Sequence, residues 1–204
     1  NSRTVHSPHM AQRRHHYETA FEDYLRAKRI PYVAVNEARK ALLPTDPEFT
    51  AGPGVPGTSA GPAPASLKCF DFVVYSDRGN LLIDIKGRKV SRRKRPTTGS
   101  ALGAAPRSGL ESWVTEEDID SMTRWRTLFG EGFDAAFVFV YWCDDQPPDG
   151  LFQEVFEHRG RWYAVRSVRM DAYVSSMKTR SRKWRTVHVP SRAFERISEA
   201  FVEV

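Results

Sequence analysis

"LLIDIKGRKV", Leu81 to Val90, sets an aspartate and, two residues on, a lysine inside an apolar run. Each charge is costly to remove from water, so a strand-like segment that carries both needs a reason for them. Side chains alternate across a strand, which puts Asp84 and Lys86 on one face and Ile83 and Ile85 on the other. The preceding run "KCFDFVVYS" is also β-rich, and the "DRG" between the two, Asp77 to Gly79, is a hairpin signal. With Arg78 and Gly79 as the central turn residues, Val73 faces Asp84 and Asp71 faces Lys86. Asp71 then shares the face of Asp84 and lies diagonal to it, at roughly 7 to 8 Å between backbone positions.

Two carboxylates that reach one point suit a hard cation such as Mg²⁺ or Mn²⁺, and a lysine beside them can hold or deprotonate a water. The plainer alternative is a cross-strand ion pair between Asp71 and Lys86, with Asp84 on a solvated face. As a bare spacing, D-x12-D-x-K is not specific. Its context favours the site: both acids are embedded in apolar strands, and a cationic stretch follows, with Arg88, Lys89, Arg92, Arg93, Lys94 and Arg95 within eight residues. Cations so placed would hold phosphates against their own repulsion beside the proposed metal centre.

Working outward, Tyr17, Ala20, Phe21, Tyr24 and Leu25 follow the spacing of an amphipathic helix over Arg13 to Arg29, ended by Pro31. "YVAV", Tyr32 to Val35, reads as a short buried strand. Residues 44–66 hold six prolines among glycines, alanines and serines and read as a flexible insertion. "TEED", Thr115 to Asp118, is a helix start with a capping threonine and acids in the first turn. "FDAAFVFVYW", Phe133 to Trp142, is the most continuously apolar run and marks a central strand covered on both faces. Beyond it come a hairpin turning at Arg159 and Gly160, a short helix from Asp171, a strand "TVHVP" and a last helix from Ser191. Lys178, Arg180, Arg182, Lys183 and Arg185 form a second cationic cluster, in which Trp184 reads as packing.

The order of an acidic helix, then "FDF" leading into a hairpin, then "DIKG" resembles the PD-(D/E)XK nuclease superfamily, the restriction-endonuclease-like fold that includes Holliday-junction resolvases. The resemblance spans about Tyr17 to Trp142. It implies that Asp71 and Asp84 ligate a metal and that Lys86 positions or activates the attacking water. It also implies a glutamate ligand from the first helix. Glu18 lies nearer the buried stripe than Glu22 and is the choice. No proline precedes Asp71, as it does in the family's pattern, and the second acid is aspartate rather than glutamate.

The expectation is an α/β domain with a four-stranded mixed sheet. A tail covers residues 1–12, a nuclease-like core 13–145 with a basic loop over 88–112, and a C-terminal β/α extension packed on the core 146–204. The expected activity is Mg²⁺-dependent hydrolysis of phosphodiesters, in DNA, with contacts from the two cationic clusters. A nuclease-fold binding module that does not cut and a protein-interaction domain are the rival classes. A homodimer is compatible with each. Thirty-one basic residues against 25 acidic ones fit a polyanionic partner. Two cysteines, Cys69 and Cys143, are too few for a disulfide framework and fit a reducing, cytoplasmic setting. No apolar run approaches a membrane span.

Overall fold

The computed structural model describes residues 8–35, 67–76, 79–90, 110–143 and 154–201. The proposed insertion over 44–66, the turn residues Asp77 and Arg78, and Arg92, Arg93, Lys94 and Arg95 lie outside the described residues.

A mixed sheet carries the domain. Its strands are β1 (Tyr32–Ala34), β2 (Phe72–Ser76), β3 (Gly79–Val90), β5 (Phe133–Cys143), β6 (Val155–His158) and β7 (Arg161–Arg169), in the spatial order β1-β2-β3-β5-β7-β6. β3 and β5 run parallel and every other neighbouring pair is antiparallel. The sheet therefore has six strands where four were expected. β5 is buried on both faces and needs a hydrogen-bonding neighbour on each edge. β3 supplies one, and β7, whose Tyr163, Ala164, Val165 and Val168 are buried, supplies the other. The turn into β7 was legible: Arg159 and Gly160 both take positive φ, 52° and 71°, as a tight hairpin turn requires.

Alternation along β5 divides the core in two. Ala136, Val138 and Val140 join Ala20, Phe21, Tyr24 and Leu25 of α1 (Pro8–Ala27) on one face. Ala135, Phe137, Phe139 and Tyr141 join Met122 of α2 (Glu116–Phe129), Tyr173 of α3 (Met170–Ser176) and Phe194 of α4 (Ser191–Ile197) on the other. α1 begins at Pro8, earlier than the expected Arg13; proline suits a first helical turn, where its missing N–H has no intrahelical partner. It ends at Ala27, before Pro31, and Arg29 turns the chain with a φ of 56°. β1 was expected to be buried, yet Val33 is 51% exposed, because the strand is three residues at the sheet edge.

A second, three-stranded antiparallel sheet is built from β4 (Val114–Thr115), β9 (Thr186–His188) and β8 (Lys178–Ser181), in the order β4-β9-β8. β8 falls in the stretch that read only as a charge cluster, since "KTRS" has no apolar alternation to betray a strand.

One glycine fixes how α1 meets the sheet. A Cβ on Gly87 would fall inside the Tyr17 ring, far below contact distance. Gly87→Ala is expected to destabilise the fold by about 1 to 3 kcal/mol through overpacking. In a Tyr17→Ala background, most of that loss in urea unfolding should vanish; an undiminished loss would place its cause elsewhere.

Candidate active site

The hairpin register differs from the expectation by two residues. Phe72 pairs with Ile83 and Val73 with Leu82, so Asp71 stands one step beyond the last registered pair, next to Asp84 rather than across from Lys86. Asp71, just outside β2, still lines one cleft with Asp84 and Lys86. The Asp71 backbone N–H donates to the Ile83 carbonyl at 2.8 Å, and its Oδ2 accepts from the Ile85 N–H at 2.6 Å. That second bond holds the carboxylate over β3.

The alternative ion pair between Asp71 and Lys86 does not form, and Lys86 pairs with other acids. The Lys86 Nζ lies 2.7 Å from Asp84 Oδ2 and 3.1 Å from Asp118 Oδ2. Asp118 also accepts from the Lys68 ammonium. All three members of the Asp84–Lys86–Asp118 bridge are buried, at 7%, 9% and 3% exposure. Asp118 sits at the third position of α2, where its carboxylate accepts from the Thr115 N–H at 2.8 Å while the Thr115 hydroxyl accepts from the Asp118 N–H at 3.1 Å. One side chain thus closes the helix cap and fixes the lysine. Sequence reasoning took Asp118 as one of three alike first-turn acids. The usable signal was the capping-box spacing from Thr115, which turns that acid back toward the strand end.

The electrostatics follow from burial. Asp71 is pushed well above the ordinary carboxylate range by desolvation first, then by the Asp84 charge, with Glu18 adding to it. Asp84 is raised by desolvation, against which Lys86 pulls down. Burial alone would lower Lys86, but Asp84 and Asp118 outweigh it and the net shift is upward. Asp118 also feels desolvation, yet Lys86 and Lys68 overcome it and hold it below its ordinary value.

These groups line a cleft of about 170 Å³ together with Glu18, Tyr17, Arg88 and Trp113. Glu18 reaches it from α1, on the opposite layer from Asp118. Glu22 points elsewhere, accepting from Tyr32 and Arg26. Among the described residues, no three acidic, histidine or cysteine side chains stand together closely enough to hold a metal ion as positioned.

The cationic candidates separate. Arg88 and Lys89 belong to β3 rather than to a loop. The Arg88 guanidinium lies 4.1 Å from the Trp113 ring centre and donates to the backbone carbonyls of Gly87 and Trp113. Lys89 lies over Trp142. In the second cluster Arg180 pairs with Glu111 and Arg185 with Glu116. Lys178, Arg182 and Lys183 are exposed, with no acid paired to them among the described residues. Trp184, expected to pack, is 71% exposed. Neither Cys69 nor Cys143 is in a disulfide, and among the described residues no helix is long and apolar enough to cross a membrane.

No protein-family profile and no curated protein matches the sequence. Among solved structures, the chain is similar to Hjc, a Holliday junction resolvase from Archaeoglobus fulgidus, a hyperthermophilic archaeon. The match covers 92% of this chain and 96% of that one, with 12% sequence identity and a TM-score of 0.46.

Asp118 and the two strand acids have opposite linkage to pH. A carboxyl lowered by folding stabilises the protein above its unfolded value, near pH 4, and that stabilisation is lost as acid titrates the folded group. Asp71 and Asp84, being raised, weigh against folding once pH rises past that same value. Asp118→Asn is therefore expected to lower stability by about 3 kcal/mol at pH 7, because it takes the paired acid from Lys68 and one of two acids from the buried Lys86. The deficit in urea midpoint should shrink toward pH 3; an equal deficit at both pH values would remove Asp118 from the bridge.

Proposed function

We propose that the chain is a metal-dependent nuclease that hydrolyses phosphodiester bonds, in DNA, at the Asp71–Asp84–Lys86 cleft. The observation that carries this reading is the pair of carboxylates brought together at the cleft, Asp84 buried and Asp71 half-buried, both raised, with a lysine anchored beside them. Water would otherwise solvate such a pair, and a folded protein that excludes it gains by admitting a cation.

The donor set fits Mg²⁺ or Mn²⁺. Asp71 and Asp84 offer hard oxygens, each with one oxygen already engaged by the Ile85 N–H or by Lys86 and one left to bind. Mg²⁺ is usually held by one or two carboxylates and keeps several waters, so two protein ligands with Glu18 at the cleft wall suffice. When bound, the ion would neutralise charge on the scissile phosphate and lower the pKa of a bound water.

The chain's own groups do the rest. Lys86, raised and doubly paired, is an ammonium at neutral pH. It therefore orients water or stabilises charge developing on the phosphate oxygens and is not a base in this arrangement. Asp118 is a positioning residue that holds Lys86 on the cleft side of β3. The DNA would be drawn in by the cations around the cleft, among which Lys89, Lys178, Arg182 and Lys183 are exposed. Arg92, Arg93, Lys94 and Arg95 are assigned to the same role from their sequence position after β3.

One feature favours a second reading, a DNA-binding module that does not cut: Lys86 already neutralises Asp84 without any metal. The two separate on a supercoiled plasmid with Mg²⁺ or Mn²⁺. The nuclease reading expects nicking that falls at least about a hundredfold in Lys86→Gln and in Asp84→Asn, while DNA binding in EDTA stays within twofold. Wild-type cleavage rates in both variants would overturn it, and absence of cleavage by the wild type on duplex, single-stranded and branched DNA would favour the binding module.

A further inference from the structure

The β8–β9 hairpin, which brings Lys178, Arg182 and Lys183 to the proposed DNA path, also carries the most exposed large aromatic among the described residues. Trp184 is 71% exposed at the hairpin tip. A lone surface apolar residue is ordinary. This one is set among Lys178, Arg180, Arg182, Lys183 and Arg185, with no acid in the same stretch, and the Lys183 ammonium lies 5.6 Å from its ring centre.

The tip is built rather than loose. The Trp184 N–H donates to Ser181 Oγ at 3.3 Å, and Arg185 takes a φ of 45° to close the turn. Arg185 is then clamped to the start of α2: its carbonyl accepts from the Glu116 N–H at 2.9 Å, and its Nε donates to Glu116 Oε2 at 2.9 Å. Below it, Thr186 pairs with Thr115, the residue that caps α2 and holds Asp118. Arg180, farther along the hairpin, sits 5.2 Å from the ring of Trp113, which lines the cleft. The exposed tryptophan is thus joined through paired backbone to the wall of the proposed active site.

We infer that the β8–β9 hairpin binds a single-stranded stretch of DNA next to the cleft, with Trp184 stacking on a base and Arg182 and Lys183 on the flanking phosphates. Every base offers a π-face to an aromatic ring, and the ring gains access only where the base is unstacked from its neighbours. A continuous duplex presents phosphates to the cations but no base to the tryptophan. This inference rests on the DNA reading above and adds to it the strand form recognised beside the cleft.

The test is fluorescence anisotropy of the full chain in EDTA, with a labelled 15-nucleotide single strand and the blunt duplex of the same sequence. Trp184→Ala is expected to weaken single-strand binding about tenfold and duplex binding less than twofold, while Trp184→Phe keeps most of the affinity. The variant Arg182→Ala/Lys183→Ala should weaken both forms and flatten the salt dependence, which Trp184→Ala leaves steep. Equal loss on single strand and duplex, or no loss in Trp184→Ala, would overturn the stacking role. Because no metal is present, either result leaves the assignment of the cleft as a nuclease site standing, and plasmid nicking tests that separately.

Discussion

Two carboxyl groups brought together at one cleft, Asp84 buried and Asp71 half-buried, are the constraint around which this molecule is arranged. Their positions are set by the parts of the fold least able to move: β3, paired along its length with β5, and the start of β2, where the Asp71 N–H and carboxylate are both hydrogen-bonded to β3. A scaffold of that kind does not let the carboxylates drift apart to relieve their repulsion. The relief must come from protons or cations, and the fold supplies one cation of its own in Lys86.

That lysine in turn depends on a helix cap. Asp118 serves the α2 N-terminus and the Lys86 ammonium with the same carboxylate, so the electrostatics of the cleft and the anchoring of α2 are one structure. The small sheet extends the coupling, since β4 ends in Thr115 and pairs with β9. Elements that look separate in the chain, a strand acid, a helix start and a C-terminal hairpin, meet within a few residues of Thr115.

Much of this was legible in the sequence, for identifiable reasons. Strand alternation alone puts Asp84 and Lys86 on one face, and the hairpin brings the start of β2 beside them, so a register error of two residues still left Asp71 lining the same cleft. The apolar continuity of Phe133 to Trp142 marked the central strand. What escaped was long-range. The capping-box spacing from Thr115 sets Asp118 apart from Glu116 and Glu117, but its partnership with a lysine 32 positions earlier in the chain has no local signal. The fifth and sixth strands escaped because β7 reads equally well as an independent hairpin arm, and only the need of β5 for a second neighbour places it in the sheet. Trp184 was read as packing on the general habit of tryptophan, and its exposure follows from a turn of charged residues that offers it nothing to pack on.

The cation site proposed at Asp71 and Asp84 is the centre of this arrangement. It is tested most directly by Mn²⁺ titration followed by electron paramagnetic resonance of the free ion, comparing the wild-type chain with Asp71→Asn/Asp84→Asn at pH 7.5, with circular dichroism to verify that both are folded. Saturable uptake of Mn²⁺ by the wild type is expected to disappear in the double variant. Equal Mn²⁺ uptake by both folded proteins, or none by the wild type, would contradict it.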